Sequence, residues 1–264
     1  MSDDINIFIL HYRANIERLK YLIAALEGQN ISQWEIIRRY DKEDISSDIE
    51  KYFDWDDSLI QERIKPIKRL MMRNILILSN RLALENDKTS QTLRSIDSFV
   101  ESNLNSFFPS VNKTNIANIS LGMKHREAWR IAASRPNSIT LVMEDDAVLP
   151  VTFRRNLDNL LREAPTDFDY IDLAGGSGLK PRGIYQQVGT NLYEISPPST
   201  RTTCMYLISH KFVSVLDAIQ DRPIFPIDVD MSIMFTQLQP RVYWCDPEIA
   251  IHGSESGHYV SSIR

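Results

Sequence analysis

The stretch Ser138 to Pro150, SITLVMEDDAVLP, constrains this chain more than any other. Ile139, Leu141, Val142 and Met143 form a short apolar run, the composition of a strand buried in an α/β sheet. Glu144, Asp145 and Asp146 follow with no spacer. Carboxylates are rarely buried unless paired or bound to a metal, so the triplet is expected at the exposed end of its strand. In an open α/β sheet that end is where ligands bind. Along an extended chain Glu144 and Asp146 would point one way and Asp145 the other. Such an acid-x-acid pair can hold a hard divalent cation between two oxygens. The other reading of the same residues is a solvated acidic turn after a strand.

The chain opens in a similar style. Ile5 to Leu10 (INIFIL) reads as a buried first strand, followed by the polar loop His11-Tyr12-Arg13. Asn15 is suited to cap a helix with Ile16, Leu19, Ile23 and Leu26 on one face and Gly28 as its stop. Trp34, Ile36 and Ile37 suggest a second strand, ending in Tyr40-Asp41-Lys42-Glu43-Asp44. His11, Arg13 and Arg18 either decorate this surface or grip a nucleotide base at the strand ends. Residues 50 to 110 differ: they contain no glycine, and Leu59, Ile64, Ile67, Leu70, Met71, Leu78 and Leu82 recur at helical intervals, as do Leu93, Ile96, Val100, Leu104 and Phe107. This predicts a helical insertion of two helices joined near Asn86-Asp87-Lys88. Lys65, Lys68, Arg69, Arg73 and Arg81 make its first helix basic, either as a solvated face or as a surface for an anionic membrane or a partner.

Asn118 to Ser134 is expected to be helical, with Leu121, His125, Ala128, Trp129 and Ala132 on one face and His125 as a hydrogen-bonded core residue. Phe153 to Arg162 reads as a helix and Phe168 to Leu173 as a strand. The loop Ala174-Gly175-Gly176-Ser177-Gly178 permits close approach of backbone to a ligand but lacks the Lys-Ser/Thr of a phosphate loop. Cys204 to Ile208 and Val242 to Cys245 read as strands and His210 to Ile219 as a helix. In Pro226-Ile227-Asp228-Val229-Asp230 the two carboxylates share one side if the chain is extended; alternatively they form a helix cap and an acidic first turn. The glycine- and serine-rich end carries His252 and His258.

Composition sets outer limits. A chain of 264 residues, 43% hydrophobic and 25% charged, fits one globular α/β domain with an inserted subregion. A net charge of −5 argues against a nucleic-acid binder, which would carry a basic excess. Cys204 and Cys245 are far apart and make no metal pattern, leaving reduced thiols or a disulfide. The acidic start, MSDDINIFIL, has too short an apolar run for a signal peptide, and no run of about 18 apolar residues exists to span a membrane. A cytoplasmic enzyme, at most resting on the inner face of a membrane, is the expectation.

The order of these pieces resembles glycosyltransferase family 25, which includes bacterial lipooligosaccharide galactosyltransferases and collagen galactosyltransferases. INIFILHYRANIERL is similar to the family's opening strand and Arg-containing loop. ISLGMKHREAW is similar to its Ser-His-x-x-Ala-Trp segment, with Lys124 where the family usually has serine. LVMEDDAVL matches its Leu-Glu-Asp-Asp-Val strand. TCMYLIS looks like Thr-Ala-x-Tyr-Leu-Ile-Ser, with Thr202 replacing the usual glycine. PIDVDM is similar to its Pro-x-Asp segment, and SSI to its ending. The likeness covers most of the chain outside residues 50 to 110. The acidic strand is fairly specific; each other piece alone is weak.

The resemblance implies a GT-A-type nucleotide-binding fold, a mixed central sheet flanked by helices. It also implies a UDP-sugar donor, commonly UDP-galactose, a glycan or lipid-linked saccharide acceptor, and a divalent metal, Mn2+ or Mg2+. Glu144 and Asp146 would hold the metal and neutralise the diphosphate leaving group. His252 is the candidate third ligand, with His258 behind it; either can equally be a surface residue. Asp145 would accept from a ribose or sugar hydroxyl, beside His11, Arg13 and Arg18. An inverting transfer needs a base for the acceptor hydroxyl, Asp228 first and Asp230 second. Two other classes are a sugar-phosphate nucleotidyltransferase and a non-catalytic nucleotide-sugar-binding module. The first needs a glycine-rich phosphate loop after strand one, and HYRANIERLK has no glycine. The intact acidic triplet weighs weakly against the second.

Overall fold

The computed structural model of the chain describes residues 5–45, 116–136, 138–219 and 225–261. The helical insertion expected over residues 50 to 110 lies outside them. The described part begins with strand β1 (Ile5–Leu10), helix α1 (Ile16–Glu27), strand β2 (Glu35–Ile37) and a short helix α2 (Lys42–Ile45). Helix α3 (Ile116–Ala133), strands β3 (Ile139–Glu144) and β4 (Ala147–Val148), helix α4 (Phe153–Glu163) and strand β5 (Tyr170–Asp172) come next. Then follow β6 (Gln186–Gln187), β7 (Leu192–Ile195), β8 (Met205–Ser209), α5 (His210–Ala218), α6 (Ile227–Leu238), β9 (Val242–Cys245) and β10 (Ile251–His252).

Among the described residues eight strands form one mixed sheet in the order β2-β1-β3-β8-β5-β9-β7-β6. The β2-β1-β3 side is parallel, and β8 joins antiparallel to β3. Alternation along each strand builds a core on both faces. Ile7 and Ile9 of β1, Leu141 and Met143 of β3, and Leu207 of β8 pack under α1 and α4 with Leu22, Phe153 and Leu157. Their neighbours Phe8, Leu10, Val142, Tyr206 and Ile208 face the other way, against Trp129 of α3, Phe212 of α5 and Phe235 of α6. Because both faces are covered, the central strands read as unbroken apolar runs. This is an α/β layer architecture with a large mixed sheet flanked by helices. Among the described residues no helix is long and apolar enough to cross a membrane.

Several expectations need correcting. Asn15 stands at the start of α1 but makes no capping hydrogen bond; its amide is drawn to Asp145 instead. Pro226 to Phe235 is not an extended segment leading to an apolar stretch: Ile227–Leu238 is one helix, α6, with Asp228 and Asp230 in its first turn. The positive N-terminal end of a helix favours acidic residues there. Asp145 and Asp146 form a tight turn between β3 and β4, so the alternation of an extended strand stops at Glu144. Both cysteines are free and buried.

Candidate functional site

Strands β1 and β3 end side by side, Leu10 opposite Glu144 in the parallel register. A cavity of about 240 Å³ opens there. All three carboxylates of the acidic turn line it, together with Asn15, Arg18, Lys124, Asp228, His252 and Ser254.

Asp145 is the most heavily bound of the three. Its carboxylate accepts from His11 Nδ1 at 2.9 Å, from the Tyr12 amide at 3.0 Å and from Asn15 Nδ2 at 3.3 Å, and Arg18 lies 3.5 Å away. It is buried, as is His11. A carboxylate with four donors around it organises the β1–α1 corner and leaves little for a ligand. Arg18 reaches the cleft; it also stacks over the Tyr259 ring and donates to the Val260 carbonyl, tying the terminal segment to the site. Arg13 does not line the cleft: it is half-exposed and spread over Asp41, Glu43 and Asp44.

Asp146 faces a different set. Strand β10 pairs antiparallel with β4, His252 opposite Ala147, which carries His252 Nε2 to 3.4 Å from Asp146 Oδ2. Ser254 Oγ donates to the same oxygen at 2.5 Å. Gly253 makes this close passage possible: a Cβ there would lie 2.4 Å from the Asp146 carbonyl oxygen, to which the Gly253 amide donates. Burial alone would raise the Asp146 carboxyl, but the hydrogen bond and charge of His252, with Ser254 and Arg18, outweigh it and hold the carboxyl below its ordinary value. The imidazole behaves reciprocally: burial would lower it, and the carboxylates of Asp146, Glu144 and Glu255 raise it. Cys204 completes a group of three possible ligand atoms lying within 4.8 Å of one another. Burial, then the charges of Asp146 and Glu144, push its thiol well up, so it stays protonated. No signal in the sequence pointed to Cys204, because it stands 58 positions from Asp146 and is aligned only by the β3–β8 pairing. His258 is exposed, bonds Ser256, and does not line the cleft.

Glu144 ends β3 and accepts from Thr203 Oγ1 at 2.8 Å. His125 is fully buried, as expected for a core histidine, and its Nδ1 lies 2.9 Å from the Tyr206 hydroxyl. The two candidate bases separate. Asp228 lines the cleft, with Val229 N–H on its Oδ1. Burial pushes its carboxyl up, the Val229 N–H opposes this, and the Glu144 charge adds to the rise. Asp230 is buried outside the cleft and accepts from the Phe225 amide.

Two features were not anticipated. Ser120, Lys124 and Glu127 form a buried polar stripe along α3 that docks on the β2–α2 corner: Ser120 donates to the Tyr40 carbonyl, Lys124 to the Arg39 carbonyl and Asp41, and Arg39 to Glu127. Burial lowers the Lys124 ammonium, and Asp41 at 2.7 Å offsets part of that. The i, i+4, i+7 spacing of these residues was the available signal. In the glycine loop Gly176 packs against protein, since a Cβ there, at a φ of +139°, would fall 2.1 Å from the Thr202 methyl, whereas Gly178 has open space around it and Ser177 lines the cleft. No family model matches the chain, and no curated protein matches it.

Proposed function

We propose that this chain is a metal-dependent glycosyltransferase of GT-A type. It would move a hexose, galactose or a relative, from a UDP-sugar to a glycan or lipooligosaccharide acceptor with inversion. The observation that carries the reading is the convergence of Asp146 and His252 in a cleft that Glu144 and Asp228 also line. A carboxylate oxygen beside an imidazole nitrogen suits Mn2+, and Mg2+ less well. The soft Cys204 sulfur is a poor partner for either of these hard, oxygen-preferring ions. Glu144, Asp146 and His252 would hold the cation, which when bound would neutralise charge on the departing diphosphate. Arg18 and Asn15 would steady the donor from the β1–α1 corner, with Asp145 keeping both in place. Asp228 would take the proton of the acceptor hydroxyl; its raised carboxyl is a stronger base than an exposed aspartate.

The test is release of nucleoside diphosphate from a panel of nucleotide sugars with manganese present. Release is expected with one donor and should disappear in Asp146→Ala while the variant still melts cooperatively. Pyrophosphate in place of nucleoside diphosphate would indicate nucleotidyl transfer. Near wild-type turnover by Asp146→Ala at limiting manganese would sink the assignment.

A further inference from the structure

Behind Glu144 stands a chain of buried polar groups that the reading above does not use. Trp129 Nε1 lies 2.9 Å from the Tyr206 hydroxyl, which lies 2.9 Å from His125 Nδ1. The opposite ring nitrogen, His125 Nε2, is 3.4 Å from Glu144 Oε1 and makes no hydrogen bond. Trp129, Tyr206 and His125 each expose 1% or less of their surface, so water does not complete their bonding.

The direction of each bond follows from what each group can do. An indole N–H only donates, so the Tyr206 oxygen accepts from Trp129. Burial keeps the phenol protonated, and its one proton needs an acceptor. Among the described residues, the other partner of that hydroxyl is His125 Nδ1. Nδ1 is therefore the bare nitrogen. A doubly protonated ring would leave the Tyr206 proton stranded in the core, at the cost of an unmade buried bond. The neutral ring then carries its proton on Nε2, the nitrogen that faces Glu144. Thr203 Oγ1 holds the same Oε1 atom from another side. Both contacts fall on Oε1 and leave Oε2 without a donor among the described residues. At 3.4 Å Nε2 faces Oε1 at the long edge of hydrogen-bond range.

We infer that His125 is a positioning residue, fixed as the Nε2–H tautomer by Tyr206 and Trp129, that orients the Glu144 carboxylate toward a divalent cation. The inference rests on the reading of Glu144 as a cation-facing carboxylate. Outer partners of this kind typically contribute about 10- to 100-fold in metal affinity or activity.

The experiment uses the full chain. Histidine side chains labelled with 15N are observed by long-range proton–nitrogen correlation at neutral pH, and His125 is assigned by the signal missing from His125→Gln. The expected result is a protonated Nε2 and a bare Nδ1. Tyr206→Phe, which removes one hydroxyl from the core, should abolish the single tautomer. In parallel, manganese affinity is measured by calorimetry. His125→Phe should weaken it about 10-fold or more, and His125→Gln, whose amide Nε2–H can replace the ring N–H, should recover most of the loss. A protonated Nδ1 in the wild type, or a tautomer indifferent to Tyr206→Phe, overturns the inference even if His125→Phe does not fold. So does unchanged manganese affinity in a folded His125→Phe protein; if that wild type turns over a nucleotide sugar, the transferase reading survives the loss. The expected tautomer and affinity pattern, without turnover of any donor, would keep the inference and remove the reading. No manganese binding by the wild type would overturn both.

Discussion

Asp145, in the β3–β4 turn against the β1–α1 corner, and Asp228, at the start of α6, line the same cleft, yet their surroundings are opposites. Asp145 is buried among donors from His11, Tyr12, Asn15 and Arg18. Asp228 has the adjacent Val229 N–H on one oxygen and a carboxyl raised mainly by burial. A fully bonded carboxylate holds a corner together; an under-bonded one of raised basicity can do chemistry. Lining a cleft does not by itself separate these roles. The number and source of the donors does.

The largest effect expected from this contrast is on turnover. Asp228→Asn keeps the shape and removes the proposed base, and should lower turnover about 10²- to 10⁴-fold, with donor binding little changed. Its effect on stability should have a specific pH dependence. Burial raises the Asp228 carboxyl, so the folded protein holds that proton more tightly than the unfolded chain. The stability it contributes is complete below the ordinary carboxylate value and is lost as pH rises through the raised folded value. Stability of Asp228→Asn relative to wild type should therefore grow across that window and level off above it. Denaturant melts at a series of pH values measure this, and a difference flat with pH would mean that Asp228 titrates like an exposed acid.

Asp145→Ala should act chiefly on the fold. It strands His11 and an adjacent backbone amide and frees Arg18 beside a cleft rich in carboxylates. Removing one partner from such a buried arrangement costs about 3 kcal/mol, read from chemical denaturation at neutral pH. A loss under about 1 kcal/mol would mean that the corner holds without its carboxylate, and the contrast with Asp228 would collapse.

The smallest effect is expected at the terminal histidines. His258→Ala should change stability by less than about 0.5 kcal/mol and leave manganese affinity intact, because its side chain is exposed and outside the cleft. His252→Ala is the sharpening control and should lose the affinity. Equal losses in the two variants would show that the terminal segment binds as a whole rather than through His252.

Much of the architecture was legible in local patterns. The apolar runs INIFIL and ITLVM became β1 and β3, and helical spacing put Leu19 and Leu26 on the buried face of α1, with Leu22 there in place of the exposed Ile16 and the half-buried Ile23; the acidic triplet fell at the cleft end of its strand, where Asp145 and Asp146 are buried by their partners rather than exposed. These features depend on side-chain periodicity and on the cost of burying charge, and both act over a few residues. The tertiary structure alone decided which carboxylate does what. Asp145 is occupied by His11 from 134 positions away, Asp146 meets Ser254 from 108 away, and Glu144 meets Thr203 from 59 away. It also turned Asn15 from a helix cap into a partner of Asp145, and wound Asp228 and Asp230 into one helical turn so that only the first faces the cleft. Local propensity is blind to such outcomes, because each hydrogen bond is made only after strand pairing and helix docking have brought distant segments within about 3 Å.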